Sequence, residues 1–187
     1  MNRDATRPHD RVVFLDRDGV INTEPPDPGW VFRWEAFEFA DGALDALRRL
    51  RENGFTVAVV SNQSCVGRGL ATLESIQAVM DAMAEAVAAA GGELARVYWC
   101  PHVDADGCEC RKPKAGMVER AERELGLRAD RAFLVGDRAT DVEMGAAKGC
   151  TTFLVDAGHA DPGDTQADFV VEGLAEAVDR ILTLVDG

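Results

Sequence analysis

The chain has 187 residues, 47% of them hydrophobic, and a formal net charge of −13. This length allows one sizeable hydrophobic core and is too short for two, so we expect a single domain over residues 1–187. The excess of 33 acidic over 20 basic residues argues against nucleic-acid and anionic-membrane partners. A polar N-terminus and the lack of a run of ~20 apolar residues favour a cytoplasmic protein, which we expect to be a monomer.

Short apolar runs alternate with amphipathic stretches along the chain, a pattern typical of alternating strands and helices. The first run, at 12–15, predicts a buried strand. Residues 41–54 predict a helix that is capped by Asp41 and stopped by Gly54. The run at 57–60 predicts a second strand.

The middle of the chain continues the alternation. Thr72 is placed to begin a long helix that ends at 91–92, with Leu73 on its inner face. The run at 97–99 predicts a third strand, and 117–125 predict a further helix.

The last third of the chain follows the same pattern. Residues 132–135 predict a strand, and Thr140 with Glu143 has the spacing of a capping box for a short helix. Further runs predict two more strands and a final helix, at 152–155, 169–171 and 174–185.

These elements predict an α/β fold: a three-layer, Rossmann-like parallel sheet with helices on both faces. In such sheets a ligand binds beyond the carboxyl ends of the strands, near a topological switch point. Polar residues directly follow three of the predicted strands, and we expect these clusters to meet at one edge of the sheet. They are Asp16 with Asp18, Ser61 to Gln63, and Asp137 with Asp141.

The carboxylates at this edge need a cation. Asp16 and Asp18 follow the first strand, and Asp137 supplies another hard oxygen ligand. Such a set favours Mg²⁺ bound together with water and a substrate phosphate. Taken one by one, the clusters are also compatible with ordinary turn chemistry.

Four soft ligands lie within eleven residues, and they predict a second metal. Cys100, His102, Cys108 and Cys110 frame the short loop 103–107 and are within reach of one tetrahedral Zn²⁺. Four protein ligands leave no open position, so this zinc is expected to be structural. The alternative is a set of free thiols. Either state fits a reducing compartment better than a disulfide framework does.

Four motifs occur in a characteristic order. In combination they resemble the haloacid dehalogenase-like (HAD) phosphatase superfamily, a resemblance that covers about residues 11–150. It implies a Mg²⁺-dependent phosphatase that acts through an aspartyl-phosphate intermediate. The motifs are FLDRDGV at 14–20, VSNQ at 60–63, RKPK at 111–114 and VGDRATD at 135–141.

The resemblance also implies residue roles. Asp16 would be the nucleophile, and Asp18 the general acid and base. Ser61 and Lys112 would stabilise the transferring phosphoryl group. Asp137 would complete the Mg²⁺ site together with the Asp16 carboxylate and the Asp18 backbone carbonyl.

Within the superfamily, the zinc loop resembles that of the D-glycero-D-manno-heptose 1,7-bisphosphate phosphatases. It is nearly as similar to that of the histidinol-phosphate phosphatases. Segments 20–22, 37–39 and 64–69 are more similar to the heptose branch, which implies release of the 7-phosphate to give heptose 1-phosphate. Cys65 and the proline-rich substrate loop, residues 23–33, depart from the usual pattern. The expected substrate contacts are Glu24, Pro25, Pro26, Asp27, Ser61, Asn62, Gln63, Ser64, Arg111, Lys112 and Arg138.

Two questions stay open at this point. Asp141 is able to orient Lys112, to bind the metal indirectly or to serve the first turn of a helix. A non-catalytic, zinc-stapled binding module is the alternative of another class, although joint retention of the catalytic residues speaks against it. The connections are too short for a large cap domain, so we expect an open site for a small phosphorylated metabolite.

Overall fold

The structure is a computed structural model that describes residues 11–24, 29–156 and 165–186. Strands and helices alternate through these residues. The strands are β1 Val12–Leu15, β2 Thr56–Asn62, β3 Arg96–Cys100, β4 Phe133–Gly136, β5 Thr151–Val155 and β6 Phe169–Val171. The α-helices are α1 Ala43–Glu52, α2 Leu73–Ala89, α3 Gly116–Leu125, α4 Ala139–Ala147 and α5 Leu174–Asp186.

The described strands form one parallel sheet in the order β3-β2-β1-β4-β5-β6. The chain builds outward from β1 through β2 to β3, and it then returns to the other side of β1 with β4. This reversal creates a topological switch point between β1 and β4, where ligands of such sheets bind. At the end of β1, Leu15 pairs with Val59 on one side and with Val135 on the other, so the residues that follow these strands meet at one edge.

Apolar side chains cover both faces of the sheet. On β1, Val13 and Leu15 join a core cluster with residues of α1, α2 and α5, whereas Val12 and Phe14 join a second cluster with residues of α3 and α4. Strands that are buried on both faces read as continuous apolar runs. The predicted three-layer α/β fold is therefore confirmed.

Two predicted details of the helix starts are wrong. Gly42, not Asp41, is the N-cap of α1, and its φ of 72° turns the chain into the helix without a side-chain cap bond. Glycine adopts this left-handed conformation at little cost. Leu73 is 52% exposed rather than inward, because it occupies the first position of α2 and the buried residues of that helix begin at Ile76.

The start of α4 also differs from its prediction. The helix begins at Ala139, so Thr140 lies inside its first turn and caps nothing. Instead, Oδ2 of Asp141 accepts a hydrogen bond from the backbone N–H of Arg138 at 3.3 Å. A carboxylate in the first turn is favoured by the helix dipole, and Asp141 takes the position in the capping pattern that was predicted for Glu143.

No domain is inserted between the strands in the ranges that the structure describes. A single domain over the whole chain remains a prediction. Among these same residues, no helix has the length and apolar character needed to cross a membrane.

Candidate active site

Three carboxylates meet at the switch point. Asp16 follows β1, Asp137 follows β4 and Asp141 lies in the first turn of α4. One carboxylate oxygen from each lies within 4.8 Å of the others, and all three residues are buried. The backbone N–H of Asp16 donates to Val135 O at 2.9 Å, which fixes the end of β1 against β4. Residues that are far apart in the sequence thus form one acidic cluster.

A glycine allows the two strand ends to approach. The loop after β1 is a tight turn in which the backbone N–H groups of Ile21 and Asn22 both donate to Arg17 O, at 2.8 and 3.1 Å. Within it, Gly19 has a φ of +75°, and a Cβ there would lie 2.5 Å from Oδ2 of Asp137. Any larger residue would push the loop away from the acidic cluster.

Lys112 places one buried cation among these carboxylates. Its Nζ lies 2.8 Å from Asp16 Oδ2 and 2.6 Å from Asp141 Oδ1, and it donates to Val60 O at 3.0 Å. The three acceptors match the three N–H bonds of an ammonium group. Burial opposes the charge, but the carboxylates of Asp141 and Asp16 outweigh it and raise the pKa of Lys112. The lysine is therefore a fixed positive charge beside Asp16.

The Asn62 side chain holds the backbone of Lys112. Its Oδ1 accepts from the Lys112 N–H at 3.1 Å, and its Nδ2 donates to the Lys112 carbonyl at 3.2 Å. This pair of bonds fixes the segment that contains the lysine to the carboxyl end of β2. Both polar atoms of the side chain are thus used within the protein, and a substrate contact by Asn62 remains a prediction.

The acidic cluster carries more negative charge than Lys112 offsets. Burial raises the pKa of Asp137 to about 8, and the neighbouring Asp16 and Asp141 add to the rise. Crowded, buried carboxylates of this kind hold protons unless a cation joins them. Their hard oxygen atoms are the ligands that Mg²⁺ prefers, so the cluster fits a divalent cation in charge and in chemistry.

The side chain of Asp18 lies in a different set of contacts, outside this carboxylate group. Its Oδ2 accepts from Gln63 Nε2 at 2.8 Å, and the same Nε2 lies 2.9 Å from the Oγ of Ser61. Ser61 and Gln63 are buried. The structure thus connects the polar residues that follow β1 and β2 through one amide group.

The substrate loop begins beside the acidic cluster. Its base is closed by a hydrogen bond from Thr23 N to Glu38 O at 2.9 Å. Glu24 forms an ion pair with Arg138 at 2.7 Å, so two predicted substrate contacts lie together. The other predicted contacts in this loop, Pro25 to Asp27, lie outside the described residues.

The four soft ligands also come together. Cys100 Sγ lies 3.6 Å from Cys108 Sγ and 3.0 Å from Cys110 Sγ, and His102 Nδ1 lies 3.3 Å from Cys110 Sγ. A tetrahedral zinc site with Zn–S bonds of ~2.3 Å places its sulfur ligands about 3.8 Å apart. The four groups lie close enough together to share one tetrahedral ion, and they have the donor set of a structural zinc site.

The zinc loop is fixed to the active edge. The backbone N–H of Gln63 donates to Cys100 O at 2.7 Å. Arg111 pairs with Asp104 at 2.5 Å and donates to His102 O at 3.2 Å, so part of this guanidinium holds the loop. Recognition of a substrate phosphate by Arg111 remains a prediction.

One buried charge was not assigned a role from the sequence. Arg17 is fully buried and pairs with Asp18 at 2.7 Å. The available signal was a basic residue between two acidic ones, directly after a strand of four apolar residues. The pattern of that turn predicts chemical roles for Asp16 and Asp18 and none for the cation between them.

Comparison with known proteins bears on this site. A HAD-hydrolase-like family model matches residues 109–177. The D-glycero-β-D-manno-heptose-1,7-bisphosphate 7-phosphatase of Yersinia pestis is 37% identical over 176 residues, which cover 88% of this chain and 92% of that protein. The enzyme of the same name from Neisseria meningitidis serogroup A is 39% identical over 145 residues, or 78% and 76% of the two chains. This chain belongs to that family of HAD phosphatases.

A solved structure supports the family assignment. The D,D-heptose 1,7-bisphosphate phosphatase of B. bronchiseptica, solved as a complex with magnesium and phosphate, superposes with a TM-score of 0.82 at 32% identity. The match covers 93% of this chain and 99% of that one. Members of this phosphatase family are phosphoric monoester hydrolases. The relative from Yersinia pestis and this solved structure, which cover 88% and 93% of the chain, confirm the predicted resemblance to the HAD superfamily.

Proposed function

We propose that this protein is a Mg²⁺-dependent phosphatase that removes the 7-phosphate of D-glycero-β-D-manno-heptose 1,7-bisphosphate and leaves heptose 1-phosphate. The observation that carries the proposal is the buried cluster of Asp16, Lys112, Asp137 and Asp141 at the switch point. The substrate and its β anomer follow the names of the relatives from Yersinia pestis and Neisseria meningitidis.

The metal site would use three groups. The Asp16 and Asp137 carboxylates and the Asp18 backbone carbonyl would hold Mg²⁺. When bound, this ion supplies positive charge that offsets the repulsion between a carboxylate nucleophile and an anionic phosphate ester. Burial and the neighbouring Asp16 and Asp141 raise the pKa of Asp137, and a cation bound here would favour the charged carboxylate.

The first half-reaction transfers the phosphoryl group to Asp16. A carboxylate oxygen of Asp16 attacks phosphorus, and the bond between phosphorus and the sugar oxygen breaks with its electron pair on that oxygen. The carboxyl group of Asp18 gives its proton to the leaving oxygen. The products of this step are the dephosphorylated alcohol and an aspartyl-phosphate.

The second half-reaction returns the enzyme to its starting state. The oxygen of a water molecule attacks the phosphorus of the aspartyl-phosphate, and the Asp18 carboxylate takes a proton from that water. The bond between phosphorus and the Asp16 oxygen breaks, which regenerates the Asp16 carboxylate and releases inorganic phosphate. Asp18 is then protonated and ready for the next ester.

Two further residues would stabilise the transferring group. Lys112 is held as a fixed cation 2.8 Å from Asp16 Oδ2, so it offsets charge without rearrangement during the reaction. The Ser61 hydroxyl lies at the end of β2 and is oriented by Gln63, which leaves its proton available for a phosphoryl oxygen. The remaining substrate contacts are proposed for Glu24, Pro25, Pro26, Asp27, Asn62, Gln63, Ser64, Arg111 and Arg138.

We assign structural Zn²⁺ to Cys100, His102, Cys108 and Cys110. Zinc requires these cysteines to be reduced, and this requirement supports a location in the reducing cytoplasm. The ion would stiffen the loop from which Arg111 and Lys112 extend. In this role zinc supports the catalytic lysine without contacting the substrate.

Side-by-side turnover tests the substrate assignment. The assay compares phosphate release from both anomers of heptose 1,7-bisphosphate and from histidinol phosphate, with Mg²⁺ and with excess chelator. We expect the highest kcat/KM for the β anomer and no turnover without metal. Preference for histidinol phosphate would overturn the substrate, and no release from any of them would favour a non-catalytic binding module.

A further inference from the structure

The Asp18 carboxylate is held by three donor side chains. Arg17 donates to Oδ1 from Nε at 3.1 Å and from Nη2 at 2.7 Å, and the same Nη2 lies 2.9 Å from Oδ2. Asn22 Nδ2 donates to Oδ1 at 3.0 Å, and Gln63 Nε2 donates to Oδ2 at 2.8 Å. Arg17, Asn22 and Gln63 are all fully buried, whereas the Asp18 side chain is 16% exposed. The carboxylate therefore cannot turn without breaking its bonds to three buried donors.

We propose that Arg17 is a positioning residue that fixes the Asp18 carboxylate for proton transfer, with Asn22 assisting it. This inference rests on the proposed function of Asp18. A flexible carboxylate can adopt several rotamers, and only one places its oxygen beside the leaving group. The fork of Arg17 contacts both carboxylate oxygens and therefore sets the rotation of the whole group. The Nε2 group of Gln63 donates both to Asp18 Oδ2 and to the Ser61 hydroxyl, so the two side chains are oriented together.

The guanidinium also contacts the substrate loop. Nη2 of Arg17 donates to the carbonyl of Val31 at 2.9 Å, and Val31 is fully buried at the far end of the loop. Nη1 lies 4.0 Å from the sulfur of Met80 on α2. The same nitrogen thus contacts both the Asp18 carboxylate and the chain at Val31, so one buried guanidinium fixes both groups.

A purely structural role is the competing explanation, because a buried ion pair also affects folding. The dependence of kcat/KM on the leaving group separates the two roles. An alkyl alcohol needs a proton from Asp18 as its bond to phosphorus breaks, whereas 4-nitrophenolate leaves with little help. Because kcat/KM includes steps only through the first irreversible one, breakdown of the aspartyl-phosphate does not affect the comparison.

The experiment measures kcat/KM for wild type, Arg17→Met, Arg17→Lys and Asn22→Ala with the heptose bisphosphate, a simple alkyl phosphate and 4-nitrophenyl phosphate. We expect Arg17→Met to lose roughly 10²-fold on the alkyl esters, the scale of general acid catalysis, and less than about 10-fold on the aryl ester. Arg17→Lys keeps the charge without the fork and should lose less, with the same selectivity. Met80→Leu, which alters only the sulfur contact, is the matched control.

Asp18→Asn separates failure of this inference from failure of the proposed function. If Asp18→Asn loses activity selectively on alkyl esters while Arg17→Met loses it equally on all substrates, Arg17 is structural and the inference is overturned. If Asp18→Asn itself shows a uniform loss, the acid role of Asp18 fails, and the inference fails with it. If Arg17→Met does not fold, Asn22→Ala decides: a selective loss on alkyl esters supports the inference, and a uniform loss or none overturns it.

Discussion

The two candidate metal clusters of this protein are built in opposite ways. The soft-ligand cluster comes from residues 100–110 and is partly exposed. The acidic cluster of Asp16, Asp137 and Asp141 is buried and joins two distant parts of the chain, the end of β1 and the segment from β4 into α4. The first depends on the spacing within one short loop. The second exists only when β1 and β4 lie side by side in the sheet. The soft-ligand cluster can therefore be predicted from residue spacing alone, whereas the acidic cluster can be predicted only from the topology of the sheet.

The two clusters meet at Lys112. This residue follows the last zinc ligand, Cys110, by two positions, and its ammonium group lies against Asp16 and Asp141. If the soft-ligand cluster supports the acidic cluster, loss of zinc should lower kcat because Lys112 is no longer held in position. Loss of an acidic residue should leave the zinc loop unaffected.

The largest effect is expected at the centre of the acidic cluster. Asp16→Asn removes the nucleophile, and we expect kcat to fall by about 10⁴-fold or more, with zinc content unchanged. Phosphate release from the heptose bisphosphate measures the loss, and thermal unfolding checks that the fold is intact. Asp179→Asn, which changes an exposed carboxylate paired with Arg49, is the control. A fully active Asp16→Asn enzyme would contradict the mechanism.

Lys112→Met should damage both stability and activity. It leaves the fully buried Asp141 without its counter-charge, which costs about 3–5 kcal/mol in free energy of unfolding, and it should lower kcat by about 10²–10³-fold. Urea unfolding of Lys112→Met and of the double variant Lys112→Met/Asp141→Asn tests the cause. The double variant should recover stability but not activity; if it recovers neither, loss of the counter-charge is not the source of the instability. Lys114→Met is the exposed control.

The double variant Cys108→Ser/Cys110→Ser tests the role of the soft-ligand cluster. We expect the zinc content, measured by elemental analysis, to fall from about one ion per chain to none, because two of the four ligands are lost. The apparent melting temperature and kcat should both decrease, since the segment before Lys112 loses its support. Cys65→Ala changes a buried thiol outside the cluster and should keep its zinc. Normal activity in a zinc-free protein would show that the two clusters are independent.

The smallest effect concerns a contact between α3, which follows the soft-ligand cluster, and the end of α4, whose first turn holds Asp141. Glu122 on α3 accepts from Ala129 N at 3.0 Å and pairs with Lys148, which follows α4, at 2.8 Å. Burial opposes the charged form, but these partners outweigh it and hold the pKa of Glu122 below its ordinary value. The resulting stability is therefore present above the unfolded pKa of about 4.3 and is lost as the pH falls through the lower folded value.

Glu122→Gln should accordingly lower the free energy of unfolding by roughly 0.5–1 kcal/mol at pH 7. The difference from wild type should shrink as the pH falls below about 4. Urea unfolding at several pH values measures it, with the exposed Glu85→Gln as control. A difference that is independent of pH would show that the charge of Glu122 contributes nothing.

Much of the fold was predictable because a covered parallel sheet requires apolar strands. The run from Val12 to Leu15 is buried on both faces and was recognisable for that reason. Helix starts were less predictable, because a cap depends on backbone conformation. Gly42 turns the chain by a positive φ, and no pattern of side chains distinguishes that from a cap by Asp41.

The candidate site divides in the same way. The spacing of the zinc ligands and the order of the motifs were sufficient to nominate Cys100 and Asp16. The contacts of Asn62 with the Lys112 backbone span 50 positions in the sequence, and only the packed sheet brings them together. The burial of Arg17 was not predictable because a charge in a polar turn is normally solvated. Its contacts with Met80 and the Val31 carbonyl form only in the folded chain.

Trapping the covalent intermediate tests the central claim most directly. Asp18→Asn should still accept the phosphoryl group from 4-nitrophenyl phosphate, whose leaving group needs little help, but it should hydrolyse the intermediate slowly. After mixing with Mg²⁺ and this substrate, rapid acid quenching and mass spectrometry should find one phosphoryl group on Asp16. Turnover by this variant with no phosphoryl group on Asp16 at any time would contradict the account.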